Sequence, residues 1–252
     1  KDGFHNIETV FYPVKLYDIL EIIESKSFKR KNKKIIFSSS GIHIPGNTGN
    51  NLCEKAYHAL DSEFDLPPVK IHLHKNIPIG AGLGGGSSDG AFTLKMLCEL
   101  FKLSVNAKAL IKTASSLGSD CPFFLNNGSF YGSSKGDVLK PCDVALNAYS
   151  VLLICPKIHI VTKDAYSKVV PEKPKVSLKE LIKLPPLRWK EKIKNDFEQS
   201  AFKQYPELRQ IKEKLYKKGC VYASMSGSGS AIYGIFEKKS AIRFKNCESF
   251  WA

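Results

Sequence analysis

Residues 78–90, PIGAGLGGGSSDG, constrain the fold more than any other stretch of this chain. Just upstream, Val69, Ile71 and Leu73 alternate with Lys70, His72 and His74, the period of a half-buried strand. Downstream, Leu94, Leu97, Cys98 and Phe101 fall on one helical face. A glycine-dense loop between a strand and a helix lets backbone N–H groups approach an anion without Cβ interference. The helix start adds unpaired donors and the positive end of its dipole. The loop reads as a phosphate seat and points to a nucleotide enzyme.

Gly80, Gly82 and Gly85 formally satisfy the GxGxxG dinucleotide fingerprint, but that fingerprint requires a second parallel strand soon after the helix. Here a second helix follows instead, with Leu110, Ala114 and Leu117 on one face and Gly118 as its stop. A Walker A loop is excluded because no Lys-Ser/Thr pair follows the glycines at the required spacing. A Gly-Ser stretch also suits a plain linker, although linkers seldom sit between two well-patterned elements.

The chain has 252 residues, of which 43% are hydrophobic, enough for one large or two smaller domains. No apolar run approaches the roughly 20 residues of a membrane span, and no signal-peptide pattern opens the sequence. These features predict a soluble protein with no membrane partner. The 7 cysteines show neither a CxxC pair nor zinc spacing, which suits small core residues in a reducing cytoplasm. The formal net charge of +14 is concentrated in Lys29–Lys34, read as a turn, and in the proline-interrupted stretch Lys168–Lys194. Neither interleaves aromatics as a single-strand-binding groove would, so a solvated lysine surface is favoured over a nucleic-acid site.

Strand-like patterns run over Ile7–Val14, Ile35–Phe37, Ser129–Tyr131 and Tyr149–Cys155, with a helix over Leu52–Leu60. Later, Leu208, Ile211 and Leu215 mark a helix with Pro206 near its start and Gly219 past its end. Strands are predicted at Val221–Met225 and Ala231–Phe236, and a domain boundary near residue 145. Between those strands lies SMSGSGS, Ser224–Ser230. Alone it reads as a hairpin turn; with the first loop, it suggests one site assembled from both halves.

PIGAGLGGGSSDG, LGSDCPFF (Leu117–Phe124) and SMSGSGSAIYGIF together resemble the GHMP small-molecule kinase superfamily. DGFHNIETVF from Asp2, NLCEKA from Asn51 and NDFEQSAFKQYPEL from Asn195 narrow the resemblance to the 4-diphosphocytidyl-2-C-methyl-D-erythritol kinase family. The resemblance implies an α+β fold. A ribosomal-protein-S5 domain-2-like N-terminal domain (1–145) precedes a ferredoxin-like C-terminal domain (146–252). It also implies ATP as co-substrate, Mg²⁺, a cytidyl diphosphate substrate phosphorylated on its 2-hydroxyl, no nucleic-acid partner, and a monomer or homodimer.

Residue by residue, the resemblance assigns the triphosphate to Pro78, Ile79, Gly80, Ala81, Gly82 and Leu83, continuing through Gly84, Gly85, Gly86, Ser87 and Ser88. Ser87 or Ser88 offers a hydroxyl to the metal, whose full ligand set stays unassigned. Asn51 and Lys75 match positions near the nucleotide; otherwise they are an ordinary helix-start amide and a surface lysine. Ser226, Gly227, Ser228 and Gly229 form the C-terminal glycine loop. Asp120 matches the family's catalytic aspartate, orienting or deprotonating the acceptor hydroxyl, where a capping or turn aspartate is the bland alternative. Phe4 and His5 match the residues that contact cytosine, with Phe4 in place of the more usual tyrosine. Thr162 and Tyr166 match a segment that closes the substrate pocket, Tyr166 as the opposite stacking face.

The family carries a Lys-x-Asn strand upstream of the Phe4–His5 position, and its lysine pairs with the catalytic aspartate. Lys1 is not that lysine, so a fragment of a longer protein is expected. The rival readings are another GHMP kinase, acting on mevalonate, homoserine or a sugar, and a basic nucleic-acid-binding S5-like protein.

Overall fold

The computed structural model describes residues 6–25, 34–46, 49–144, 146–239, 242, 244 and 246–252. Phe4, His5 and Lys1 lie outside the described residues, as does all of the Lys29–Lys34 turn except Lys34.

The chain opens with β1 (Thr9–Phe11), β2 (Ile19–Glu24) and β3 (Ile35–Gly41), followed by α1 (Leu52–Phe64) and β4 (Val69–Lys75). The strand expected over Ile7–Val14 is confined to Thr9–Phe11, and Pro13, with no N–H to give a ladder, lies just beyond it. β4 is central to its sheet, antiparallel to β2 and parallel to β3. A parallel pair needs a crossover, and α1 supplies it. Asn51 caps α1, its Oδ1 accepting from Cys53 N at 2.8 Å. Val69, Ile71 and Leu73 pack against Tyr57 and Leu60 of α1.

Next come α2 (Gly85–Leu100), α3 (Ala107–Leu117) and α4 (Cys121–Phe124). Leu94 and Leu97 of α2 complete the same core, each such burial contributing about 1.5–3 kcal/mol. Gly118 ends α3 as expected, but with extended backbone (φ 172°) rather than the left-handed turn that usually makes glycine the stop. β5 (Phe130–Ser133) then pairs with β1 and with β6 (Val138–Pro141), both antiparallel.

The remaining elements are β7 (Ser150–Pro156), α5 (Thr162–Ser167), α6 (Leu178–Leu181), α7 (Phe197–Gln204), α8 (Pro206–Lys217), β8 (Tyr222–Met225), β9 (Ile232–Phe236) and β10 (Cys247–Trp251). Their sheet is antiparallel in the order β10-β7-β9-β8, the strand order of a ferredoxin-like sheet. Leu208, Ile211 and Leu215 line one face of α8 and pack with Leu152, Ile154 and Ile232. A third cluster, with Leu146, Trp189, Tyr222 and Ile235 at its centre, takes in Val10 and Tyr12, joining the opening segment to this sheet. Glu8 adds a polar tie by accepting from Leu178 N at 2.7 Å. Among the described residues, no helix is long and apolar enough to cross a membrane.

Candidate active site

The glycine loop leaves the end of β4 and runs into α2. Gly80, Gly82 and Gly84 all take left-handed φ values, 68°, 74° and 69°. At Gly82 the requirement is also spatial, since a Cβ there would sit 2.1 Å from the Ser226 carbonyl oxygen. Gly84 caps α2 without a side chain, and the N–H groups of Gly85, Gly86 and Ser87 have no intrahelical acceptors. Those donors and the helix dipole face a cleft of about 300 Å³. Pro78 to Ser87 line it together with Asn51, Leu52, Lys75 and Asp89. Asn51 is therefore both the capping amide of α1 and part of the cleft wall. A broader depression of about 840 Å³ between Tyr17 and Phe250 shares Lys75 but none of the glycine loop.

The second cluster is the β8–β9 hairpin turn, and it also docks on the first loop. Ser226 N donates to Ala231 O at 2.8 Å within the hairpin. Across the site, Ser226 Oγ donates to Gly82 O at 2.7 Å and Ala231 N to Ala81 O at 3.0 Å. Ser228 Oγ lies 3.3 Å from Thr162 Oγ1 at the start of α5.

Lys75 is not a surface lysine: it is only 3% exposed and is paired with two carboxylates, Asp18 and Asp89, the latter at 2.7 Å. Asp18 also accepts from the N–H groups of Asn76 (2.6 Å) and Ile77 (2.8 Å), tying the strand end to the loop. Burial is the main cause of an Asp89 pKa pushed up to about 7, against the pull of Lys75 and with the help of Asp18's charge. Asp18 and Asp89 went unnoticed in the sequence, although the parity of β4 held the signal. Lys75 shares the inward phase of Val69, Ile71 and Leu73, and a lysine on a buried face requires acidic partners.

Asp120 occupies the turn between α3 and α4. It stands at the N-cap position of α4, yet its side chain makes no cap bond. Among the described residues its carboxylate takes only a long hydrogen bond from Ser119 Oγ, 3.4 Å, and burial pushes its pKa up. Of the bland alternative, the capping bond is absent and the turn position is present. The Ser87 hydroxyl lies against the Cys121 thiol, so the first turn of α2 abuts the turn that carries Asp120. On α5, Thr162 and Tyr166 are four residues apart and share a face. The Tyr166 phenol is pushed up by burial and then by the charge of Asp120. Its ring meets Phe197 edge-on, centroids 4.8 Å apart.

The first glycine loop, Asn51 and Lys75 line one cleft, and the second loop is hydrogen-bonded to the first; Asp120, Thr162 and Tyr166 lie outside the cleft's lining. Among the described residues no three His, Cys, Asp or Glu side chains cluster to hold a metal.

The GHMP kinases N terminal domain matches residues 51–128, and GHMP kinases C terminal matches residues 178–248. A 4-diphosphocytidyl-2-C-methyl-D-erythritol kinase of Bacteroides thetaiotaomicron is 47% identical over 241 residues, spanning 96% of this chain and 87% of that protein. A crystal structure of a 4-(cytidine 5'-diphospho)-2C-methyl-D-erythritol kinase superposes with a TM-score of 0.77 at 30% identity, over 93% of this chain and 82% of its own. Methanococcus jannaschii mevalonate kinase shares the fold at 16% identity, TM-score 0.66, over 100% of this chain and 98% of its own.

Proposed function

Because this chain belongs to the GHMP kinases, and within them to the 4-diphosphocytidyl-2-C-methyl-D-erythritol kinases, we propose that its cleft transfers the γ-phosphoryl group of ATP to the 2-hydroxyl of 4-diphosphocytidyl-2-C-methyl-D-erythritol. The products are ADP and the 2-phosphate. One observation supports the reading at this cleft: the Ser226–Gly82 hydrogen bond brings the two glycine loops together.

Phosphoryl transfer asks the protein mainly for alignment and charge compensation. Backbone N–H groups of Gly80–Ser88 hold the triphosphate, and the Ser226–Gly229 turn covers it. Asn51 closes the nucleotide end, and Lys75 fixes the loop from below. Asp120, half-buried and making no capping bond, orients the acceptor hydroxyl and takes its proton. A carboxylate with a raised pKa suits that task better than an ordinary one. Thr162 and Tyr166 wall the acceptor side, Tyr166 offering an aromatic face to the pyrimidine. The Ser87 or Ser88 hydroxyl is a hard oxygen donor of the kind that Mg²⁺ shares with phosphates and would hold it there. Bound there, Mg²⁺ supplies positive charge to the phosphate oxygens.

Ligand protection tests the assignment. ATP and a cytidine diphosphate polyol should each raise the Tm, and in a salt-insensitive way for the cytidyl ligand. Retention on RNA or DNA that weakens steeply with salt, with no protection by either ligand, would refute it.

A further inference from the structure

We propose that Asn195, Phe197 and Glu198 form a positioning device that sets the phosphate-covering hairpin and the acceptor-side aromatic Tyr166 in register with each other. The inference rests on the kinase reading and adds residues to it.

The argument begins with hydrogen-bond capacity. The Asn195 amide spends both N–H groups on the hairpin, Nδ2 donating to Met225 O and to Gly227 O at 2.8 Å each. Its Oδ1 accepts from Phe197 N at 2.9 Å, so the same side chain also starts α7. Two facing carbonyls demand two donors from one short side chain, and the amide supplies both. An aspartate would set its oxygens against those carbonyls. One turn on, Glu198 Oε1 accepts from Met225 N at 2.8 Å and from Ser224 Oγ at 3.0 Å. Its other oxygen is held by Lys212 Nζ at 2.5 Å. Residues 224–227 are therefore gripped from one side by two polar side chains.

Phe197 lies between those side chains in sequence and faces elsewhere, against Tyr166 at 4.8 Å and 71°. A single short segment thus holds the hairpin by polar bonds and the acceptor aromatic by ring contact. The circuit closes on the far side, where Ser226 bonds Gly82 and Ser228 meets Thr162 on the helix that carries Tyr166. Displacing the segment moves donor and acceptor walls together.

The test uses the full chain and measures the Kd for ATP by titration, the KM for each substrate, kcat and the Tm. Asn195→Ala should raise the Kd for ATP about tenfold, the scale of one or two hydrogen bonds. Phe197→Leu should raise the KM for the cytidyl acceptor severalfold while leaving the Kd for ATP in place. Glu198→Gln keeps an acceptor for Ser224 and Met225, and should restore most of what Glu198→Ala loses. The double variant Asn195→Ala/Phe197→Leu should depart from additivity, since both act through one segment. Unchanged ATP affinity in Asn195→Ala, or losses that follow only the fraction unfolded, would overturn the proposal. Because ATP affinity is read without an acceptor, a wild-type chain inactive on the cytidyl substrate would refute the substrate assignment and still leave the hairpin test standing.

Discussion

Ser226 and Gly82 stand 144 residues apart, and Ser226 Oγ donates a 2.7 Å hydrogen bond to the Gly82 carbonyl oxygen. The bond brings a hairpin turn of one sheet onto the loop that precedes α2, so the loop lining the cleft is held in place by the second glycine cluster. The close approach is possible because position 82 lacks a Cβ.

Gly82→Ala therefore pushes the two loops apart. The new Cβ meets the Ser226 carbonyl at 2.1 Å on a backbone with φ of 74°, so both sterics and conformation oppose it. ATP affinity, measured by titration, should fall by about tenfold or more, equivalent to about 1.4 kcal/mol. Wild-type affinity in this variant would mean that the loops do not act together.

Lys75→Met removes the buried cation and leaves Asp18 and Asp89 facing each other below the loop. Breaking a buried pair by deleting one partner costs about 3–5 kcal/mol. Denaturant unfolding at neutral pH should show a loss of that order. A loss below about 1 kcal/mol, the range of surface ion pairs, would contradict the burial argument.

Asp89 gives a pH signature. Its folded-state pKa, about 7, lies above the ordinary 3.8, so the folded chain binds more protons than the unfolded chain between those values. The stability from this group is complete below its ordinary pKa and is lost as pH rises through about 7. The Tm difference between wild type and Asp89→Asn should accordingly shift against the wild type from pH 4 to pH 8. A difference that stays constant with pH would exclude the raised value.

Asp120→Asn preserves shape and removes the carboxylate proposed to accept the proton. Loss of a general base lowers kcat by roughly 10²–10⁴-fold, with little change in the KM for ATP. If Asp120 is that base, its raised pKa should put the acid limb of the wild-type kcat profile above the ordinary carboxylate range. Near-full turnover by Asp120→Asn would remove Asp120 from the chemistry.

Much of this site was legible in the sequence because loops that hold phosphate need glycine at fixed places, and Gly80, Gly82 and Gly84 carry that requirement openly. The period of β4 and the apolar face of α2 placed the loop between the right elements. What stayed hidden were the polar partnerships. Asp18 meets Lys75 across 57 positions and Asn195 meets Gly227 across 32, and hydrophobic periodicity says nothing about such pairs. β2 escaped for a related reason: Ile19 and Ile23 face outward while Leu20 and Ile22 face the core, so its run ILEIIE lacks the alternation of a half-buried strand. β10, with Glu248 and Ser249 exposed, is defined by pairing with β7 and carries no pattern of its own. Phe4 and His5, expected from the resemblance to contact cytosine, lie outside the described residues.

The most direct test of the central claim is ADP release from Mg-ATP with the purified protein, comparing 4-diphosphocytidyl-2-C-methyl-D-erythritol with mevalonate, homoserine and no acceptor. The cytidyl substrate alone should drive ADP formation above the acceptor-free rate. Turnover with mevalonate or homoserine in its place, or no turnover with any acceptor even after a family-like N-terminal Lys-x-Asn segment is restored, would contradict the account.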